Sequence, residues 1–363
     1  MKNLDYNDTQ LSKKILSEIK EVSSSLGDIT IMEFCGTHTH SIFRFGIRDL
    51  LPQNITMLSG PGCPVCVTDN RDIDYSLALA EMPDTIITTF GDMIKVPGSS
   101  KSLQDIKAEG KDIRIVYSCM SALEIAEQNP KKNVIFLGVG FETTAPTVAG
   151  AIIEAERKGI DNFFVYSMHK LTPPAMRSIL ELGEVKLNGI LGPGHVSTVI
   201  GSEAWKFLPD DYKIPIAIAG FDIIDILLGI RALLEMIRDK NPRVMNTYLR
   251  AVKPEGNKLA QDMMYEVFEV ADSYWRGLGK LPESGLRIKE KYKDFDASKQ
   301  FPINISEANE HRLCRCGEVI RGVISPLECP LFDEVCSPSN PVGPCMVSSE
   351  GTCSAYYLYG VRR

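Results

Sequence analysis

Short runs rich in β-branched residues recur roughly every 25 to 30 residues from Asp28 onward, which is the pitch of a strand–helix unit. The runs are DITIMEF, NITMLSG, DTIITTF, IRIVYS, NVIFLGV, NFFVYS, LNGILG and IPIAIAG. Most end in a turn rich in Gly, Pro, Ser or Thr, and several lead into helix-like stretches such as SALEIAEQ, APTVAGAIIEAERKG and FDIIDILLGIRALLEMIRDK. Strands that alternate with helices in this way build parallel sheets. Eight of them in two sets of four predict an α/β protein with two similar parallel-sheet domains, divided near Gln128-Asn129-Pro130-Lys131. Past Asn241-Pro242 the pattern changes. The segment VMNTYLRAVKPEGNKLAQDMMYEVFEVADSYWRGLG reads as helical and leads through Gly- and Pro-punctuated sequence into a cysteine-rich end. The expected organisation is therefore an α/β domain at 1–128, a second at 129–240, and a mostly helical and loop unit at 241–363. A length of 363 residues accommodates two or three such units.

Composition narrows the function classes. A net charge of −7 leaves no basic footprint for phosphate neutralisation, so no nucleic-acid partner is expected. The opening MKNLDYNDTQLSKKILSEIK lacks a continuous apolar core, and no stretch approaches the ~18 apolar residues a bilayer span needs. The expectation is a cytoplasmic protein without a membrane partner. In that reducing compartment ten cysteines point to metal ligands or working thiols rather than structural disulfides.

In open parallel sheets, ligands sit beyond the carboxyl ends of the strands. The unusual sequences lie there: CGTHTH after TIMEF, GPGCPVC after ITMLS, GFETTAP after VIFLGV, and GPGHVS after NGIL. Four such loops could converge on one cleft. Cys35 leaves a strand with His38 three residues on, a pair that can ligate a borderline or soft metal or simply pack as a buried thiol and a hydrogen-bonded imidazole. Cys63-Pro64-Val65-Cys66 suits a redox dithiol, or half of a zinc site completed by Cys35 and His38. Gly138-Val139-Gly140-Phe141-Glu142-Thr143-Thr144 begins like a dinucleotide fingerprint but has Thr143 at the third Gly position. Glu142 is there a candidate acid, base or orienting carboxylate, with Thr143 or Thr144 as a helix cap. His195 sits in a Gly-flanked turn, as either a site residue or a satisfied loop histidine. Cys119, at a strand-to-helix junction without a spaced partner, reads as a core thiol.

The remaining six cysteines fall from Cys314 onward. Four of them are spaced Cys314-x14-Cys329-x6-Cys336-x16-Cys353, which matches neither the paired knuckles of a zinc ribbon nor a compact ferredoxin run. Four thiolates on Pro- and Gly-rich loops can nevertheless enclose a [4Fe–4S] cluster. Cys316 and Cys345 are then left as a thiol pair beside it, in the manner of a redox relay.

Taken in order, CGTHTH, GPGCPVC, GFETTAP, PGHVS and the tail motifs CRCGEVIRG, CPLF and PVGPCMVSSEGTCSAYYLYG resemble the HypD family of hydrogenase maturation factors over essentially the whole chain. The resemblance implies a scaffold on which the Fe(CN)2CO group of [NiFe]-hydrogenase is assembled, paired with a small HypC-like chaperone and supplied with cyanide by a HypE-like donor. It implies that the transient iron is held by Cys35 with a chaperone cysteine, that His38 lies beside it, and that Cys63 and Cys66 are the nearby redox pair. By the same resemblance Cys314, Cys329, Cys336 and Cys353 hold a [4Fe–4S] cluster, Cys316 and Cys345 are the dithiol next to it, and Glu350 belongs to a functional motif. Two other classes compete: a cluster-dependent thiol–disulfide reductase acting on a protein partner, and a zinc-stabilised binding module.

Overall fold

The computed structural model describes residues 8–305 and 308–360; the first seven residues of the N-terminal stretch read above lie outside them. All eight expected runs form strands: β1 (Ile29–Glu33), β2 (Ile55–Ser59), β3 (Thr85–Thr89), β4 (Asp112–Ile115), β5 (Asn133–Gly140), β6 (Phe163–His169), β7 (Gly189–Pro193) and β8 (Ile216–Ala219). β3, β7 and β8 are buried at every position, as strands covered on both faces should be. A short β9 (Val244–Asn246) follows.

The strands divide between two parallel sheets, but not at residue 128. One sheet has the order β2-β1-β7-β8-β9 and the other β4-β3-β5-β6. The chain starts the first sheet, leaves to build the whole of the second, and returns to finish the first. Residues 1–128 and 129–240 are therefore not separate sheets, and β9 carries the first sheet past residue 241. The reason is physical: a run of buried β-branched residues specifies a strand but not its neighbour, and the pairing is settled by which faces share a core. One large apolar cluster here joins Met32 and Ile190 of the first sheet, Ile87 and Leu137 of the second, and Cys316, Cys345 and Cys353 of the tail.

The first sheet is closed on its other face by the helices Thr9–Ser23 and Ile223–Arg238. Asp8 starts the first of these by accepting the Gln10 and Leu11 N–H groups, and Ser12, Ile15, Ile19 and Ser23 form its buried stripe at helical spacing. Among the described residues no helix is long and apolar enough to cross a membrane.

The segment expected to be helical after Asn241 is mostly not. Only Lys258–Val267 is helix, capped by Asn257, and the chain then forms an antiparallel hairpin of β10 (Phe268–Trp275) and β11 (Gly279–Ile288). FEVADSYW buries its two ends, Phe268 and Trp275, and is punctuated by Gly277 and Gly279, both with positive φ. A spacing of seven suits one helix face, so these positions alone read as helical, and the turn glycines decide for the hairpin. The hairpin lies on the second sheet, with Lys170 bridged to Gly285 and Thr68 to Trp275. The tail beyond it is short helices and turns, ending in the helix Thr352–Tyr359 packed on Gly36–Arg44.

Candidate metal and thiol site

Glu33 of β1 lies in register with Ser59 of β2 and Leu191 of β7, so the loops after these three neighbouring strands leave the sheet side by side. They are CGTHTH, GPGCPVC and GPGHVS. Gly36 N–H donates to the Gly62 carbonyl at 2.9 Å, and a side chain at Gly62 would start within 2.6 Å of the Cys35 Cα. Only glycine lets the second loop lie this close to Cys35.

Cys35 is buried at the N-cap of the helix Gly36–Arg44 without a capping hydrogen bond to its sulfur, although the nearby His38 and Thr37 N–H groups act in the direction that favours thiolate. Burial, with the carboxylates of Glu350 and Glu33 adding to it, pushes its thiol up to about 12 despite those donors. Cys35 therefore keeps its proton near neutral pH and could act as a ligand only if a cation replaced it. Glu33 accepts the Cys35 N–H at 2.9 Å and the Thr39 hydroxyl, and burial raises its carboxyl to about 7.

His38 is wholly buried, and its Nε2 lies 2.8 Å from the Gly220 carbonyl. A carbonyl only accepts, so Nε2 carries the proton and Nδ1 is the lone pair, buried with no hydrogen-bond partner. Burial lowers its pKa to about 4, which keeps the ring neutral. Phe221 stacks on the exposed His195 with centroids 3.9 Å apart and touches His38 at 4.8 Å, joining CGTHTH to GPGHVS. Gly220-Phe221, at the end of β8, is thus the fourth loop of the cleft. The sequence reading passed over it, although IPIAIAG ends on the glycine that marks the strand end.

The expected fourth loop belongs elsewhere. GFETTAP follows β5 in the second sheet, and Glu142 accepts the Thr172 N–H at 2.8 Å and its hydroxyl at 3.1 Å, capping the helix Thr172–Leu182. Burial pushes this carboxyl up to about 7. Thr144 takes the N-cap of Ala145–Lys158, and Thr143 is half-buried beside it. Cys119 lies in the apolar core of the second sheet.

The tail reaches the cleft through Glu350. Its carboxylate accepts the Thr37 hydroxyl at 2.7 Å, and Arg48 donates to the Tyr356 hydroxyl at 2.7 Å. Ser348 donates to Asp92 at 2.7 Å, which ties the same segment to the second sheet.

Cys63 and Cys66 form a disulfide, with Cys63 as the N-cap of the turn Pro64–Val67. That turn packs against Pro344–Val347, and the Cys66 sulfur lies 4.0 Å from the Pro344 carbonyl, one residue before Cys345. Cys314, Cys316, Cys329, Cys336, Cys345 and Cys353 all line one cavity, walled by Leu331, Phe332 and Met346. Cys314 and Cys316, Cys316 and Cys345, and Cys345 and Cys353 are neighbouring pairs, and the Cys353 N–H donates to the Cys345 sulfur at 3.5 Å. The Cys316 contact and then burial push the Cys314 thiol up.

Among the described residues no group of three or more His, Cys, Asp or Glu is set to hold a metal ion. In the tail the six cysteines surround a space of ≈ 20 Å³, about one water's worth. The donor set still fits an iron–sulfur cluster: sulfur only, in an apolar pocket, with iron–sulfur bonds taking the place of thiol–thiol contacts.

A family described as "HypD: Hydrogenase formation hypA family" matches residues 10–360. The chain belongs to the HypD family. It is 43% identical to the hydrogenase maturation factor HypD2 of Bradyrhizobium diazoefficiens, covering 98% of this chain and 96% of that protein. It is 43% identical to the HypD of Azotobacter vinelandii, covering 100% and 98%. A putative hydrogenase expression/formation protein of Methanocaldococcus jannaschii is 44% identical over 98% of this chain and 99% of its own length. Membership in the HypD family assigns the chain a role in hydrogenase maturation.

Proposed function

We propose that the chain is the scaffold on which the Fe(CN)2CO group of [NiFe]-hydrogenase is assembled, with the iron held by Cys35 and a cysteine of a HypC-like chaperone. A HypE-like protein brings the cyanide groups. One observation carries this reading: an unbroken line of contacts runs from the six-cysteine cavity through Pro344-Cys345 to the Cys63–Cys66 disulfide, and from Gly62 to Cys35. Redox groups and a metal-binding thiol on touching loops are what a site needs if it is to load iron and change its ligands.

Cys314, Cys329, Cys336 and Cys353 would hold a [4Fe–4S] cluster, which supplies electrons singly. The protein's own groups do the rest. Oxidation of the Cys316 and Cys345 thiols to a disulfide releases two electrons and two protons, and the Cys63–Cys66 disulfide takes up two of each to become two thiols. Once deprotonated by the iron, the Cys35 sulfur would be favoured by the nearby N–H groups of His38 and Thr37. His38 is neutral and fixed by Gly220, and its unpartnered Nδ1 lone pair would serve the iron as a ligand or acceptor rather than donate to cyanide.

A thiol–disulfide reductase acting on a protein partner fits less well. Cys63 is 5% exposed and Cys66 1%, so neither sulfur is presented to an external disulfide. The test is infrared spectroscopy of the anaerobic complex with the HypC-like chaperone. Cys35→Ala should abolish the bands of iron-bound CN and CO in a protein that remains folded, and persistence of those bands would refute the assignment.

A further inference from the structure

The turn of the hairpin places Arg276 between the disulfide and the tail. Its backbone N–H donates to the Val67 carbonyl at 2.9 Å, just past Cys66. Its side chain is 4% exposed: Nε donates to the Thr68 carbonyl at 3.1 Å, one terminal nitrogen to Asn70 at 3.3 Å, and the other pairs with Glu310 at 2.7 Å. The next residue, Gly277, presses on Gly317 of the Cys316–Ile320 helix so closely that a side chain there would meet the Gly317 backbone at 2.7 Å. Arg321 fastens the contact by donating to the Gly277 carbonyl at 2.7 Å. Arg276, Glu310 and Cys314 line one open cleft of ≈ 270 Å³. The positive charge of Arg276 acts on both the Cys314 and Cys316 thiols in the direction that favours thiolate.

A guanidinium does not lose its charge, so this is a fixed cation in the cleft that adjoins the six-cysteine cavity through Cys314. Reduction of a thiolate-bound cluster adds one negative charge, and a nearby fixed cation stabilises the reduced form. Glu310, 43% exposed, partly cancels that field. We propose that the Arg276–Glu310 pair sets the reduction potential of the cluster bound in the tail. The inference rests on the cluster reading above. Neither residue is a ligand, and neither falls in the motifs that carry the family resemblance.

The experiment is a redox titration of the full chain, reconstituted anaerobically with iron and sulfide and followed by electron paramagnetic resonance. Arg276→Gln should lower the equilibrium constant for reduction on the order of tenfold, about 59 mV for a one-electron couple. Glu310→Gln should raise it, the double variant should fall near wild type, and Arg276→Lys should recover most of the shift. Shifts of opposite sign identify charge, because loosening of the fold and added solvent would move both variants the same way. Unchanged or same-direction potentials in cluster-bearing variants overturn the proposal while leaving the cluster reading intact. A wild-type chain that binds no iron and sulfide overturns both.

Discussion

The contact of Gly36 with Glu350 is the seam between the first sheet and the tail, and a single methyl group tests it. A Cβ on Gly36 would sit 2.9 Å from the Glu350 carbonyl oxygen, 3.0 Å from its carboxylate, and closer still to its Cβ. Two effects oppose each other in Gly36→Ala. Alanine gains at most about 1 kcal/mol over glycine in a helix, and less at this first helical position. Overpacking costs about 1–3 kcal/mol where the neighbour is backbone that cannot swing aside. Overpacking wins, and the net loss should be about 1–2 kcal/mol, read as a lower urea midpoint and faster amide exchange through Ser348–Tyr359. A double-mutant cycle isolates the cause. Glu350→Gly removes the nearest clashing atom, so Gly36→Ala should cost at least about 1 kcal/mol less in that background. The reasoning is refuted if Gly36→Ala leaves stability unchanged, or if its cost is the same with and without the Glu350 side chain.

Three further outcomes follow from other groups. Glu142 has its carboxyl raised from 4.5 to about 7, so the folded state holds its proton more tightly than the unfolded chain does. That contribution is complete below about pH 4.5 and is lost as pH rises through about 7, by up to about 3 kcal/mol. Glu142→Gln keeps an acceptor for Thr172 and should gain on wild type between pH 5 and 8 in urea titrations, and parallel curves would count against the burial argument. Cys35, protonated and buried, should resist iodoacetamide at pH 8 in the metal-free protein and react only after unfolding, as read by mass spectrometry of the labelled peptide. Tyr356→Phe removes the hydroxyl that Arg48 donates to and should cost about 1–2 kcal/mol, whereas a melting curve superposable on wild type would mean that bond is idle.

The strands were legible because a buried parallel strand writes itself as a short β-branched run, and each such run is a strand here. Their allocation to sheets was not, since Ile31 and Ile87 look alike in sequence and differ only in the partners that the shared core selects. The motifs CGTHTH and GPGCPVC lie on touching loops and the six tail cysteines line one cavity, and glycine and proline crowding marks such loops in the sequence because they have little core to fill. GFETT misled for the same reason. Its glycine allows the tight turn after β5, but its glutamate is spent on a helix start thirty residues later, a long-range pairing that no local pattern reveals. Arg276 was invisible on similar grounds. An arginine in a turn reads as solvated, and only the tertiary contacts with Thr68, Asn70 and Glu310 show that it is buried and fully engaged.

The electrostatics of Cys35 also explain why the site is built from so many separated segments. A thiol at a helix start would ordinarily be acidified by the N–H groups that face it. Here burial reverses that, and Glu350 from the far end of the chain and Glu33 from the strand before it add to its effect in holding the proton on sulfur. The same two carboxylates favour a cation at Cys35 once the proton leaves. On the scaffold reading proposed above, a site so arranged would stay closed to alkylating agents and chance oxidation and open to a metal that brings positive charge with it. Removing Glu350 should therefore act in two directions at once, making the empty thiol more acidic and the iron-loaded site weaker. Glu350→Gln should show faster Cys35 alkylation at pH 8 together with weaker CN and CO bands in the chaperone complex. An increase in both, or a decrease in both, would mean that the carboxylate acts by shape rather than by charge.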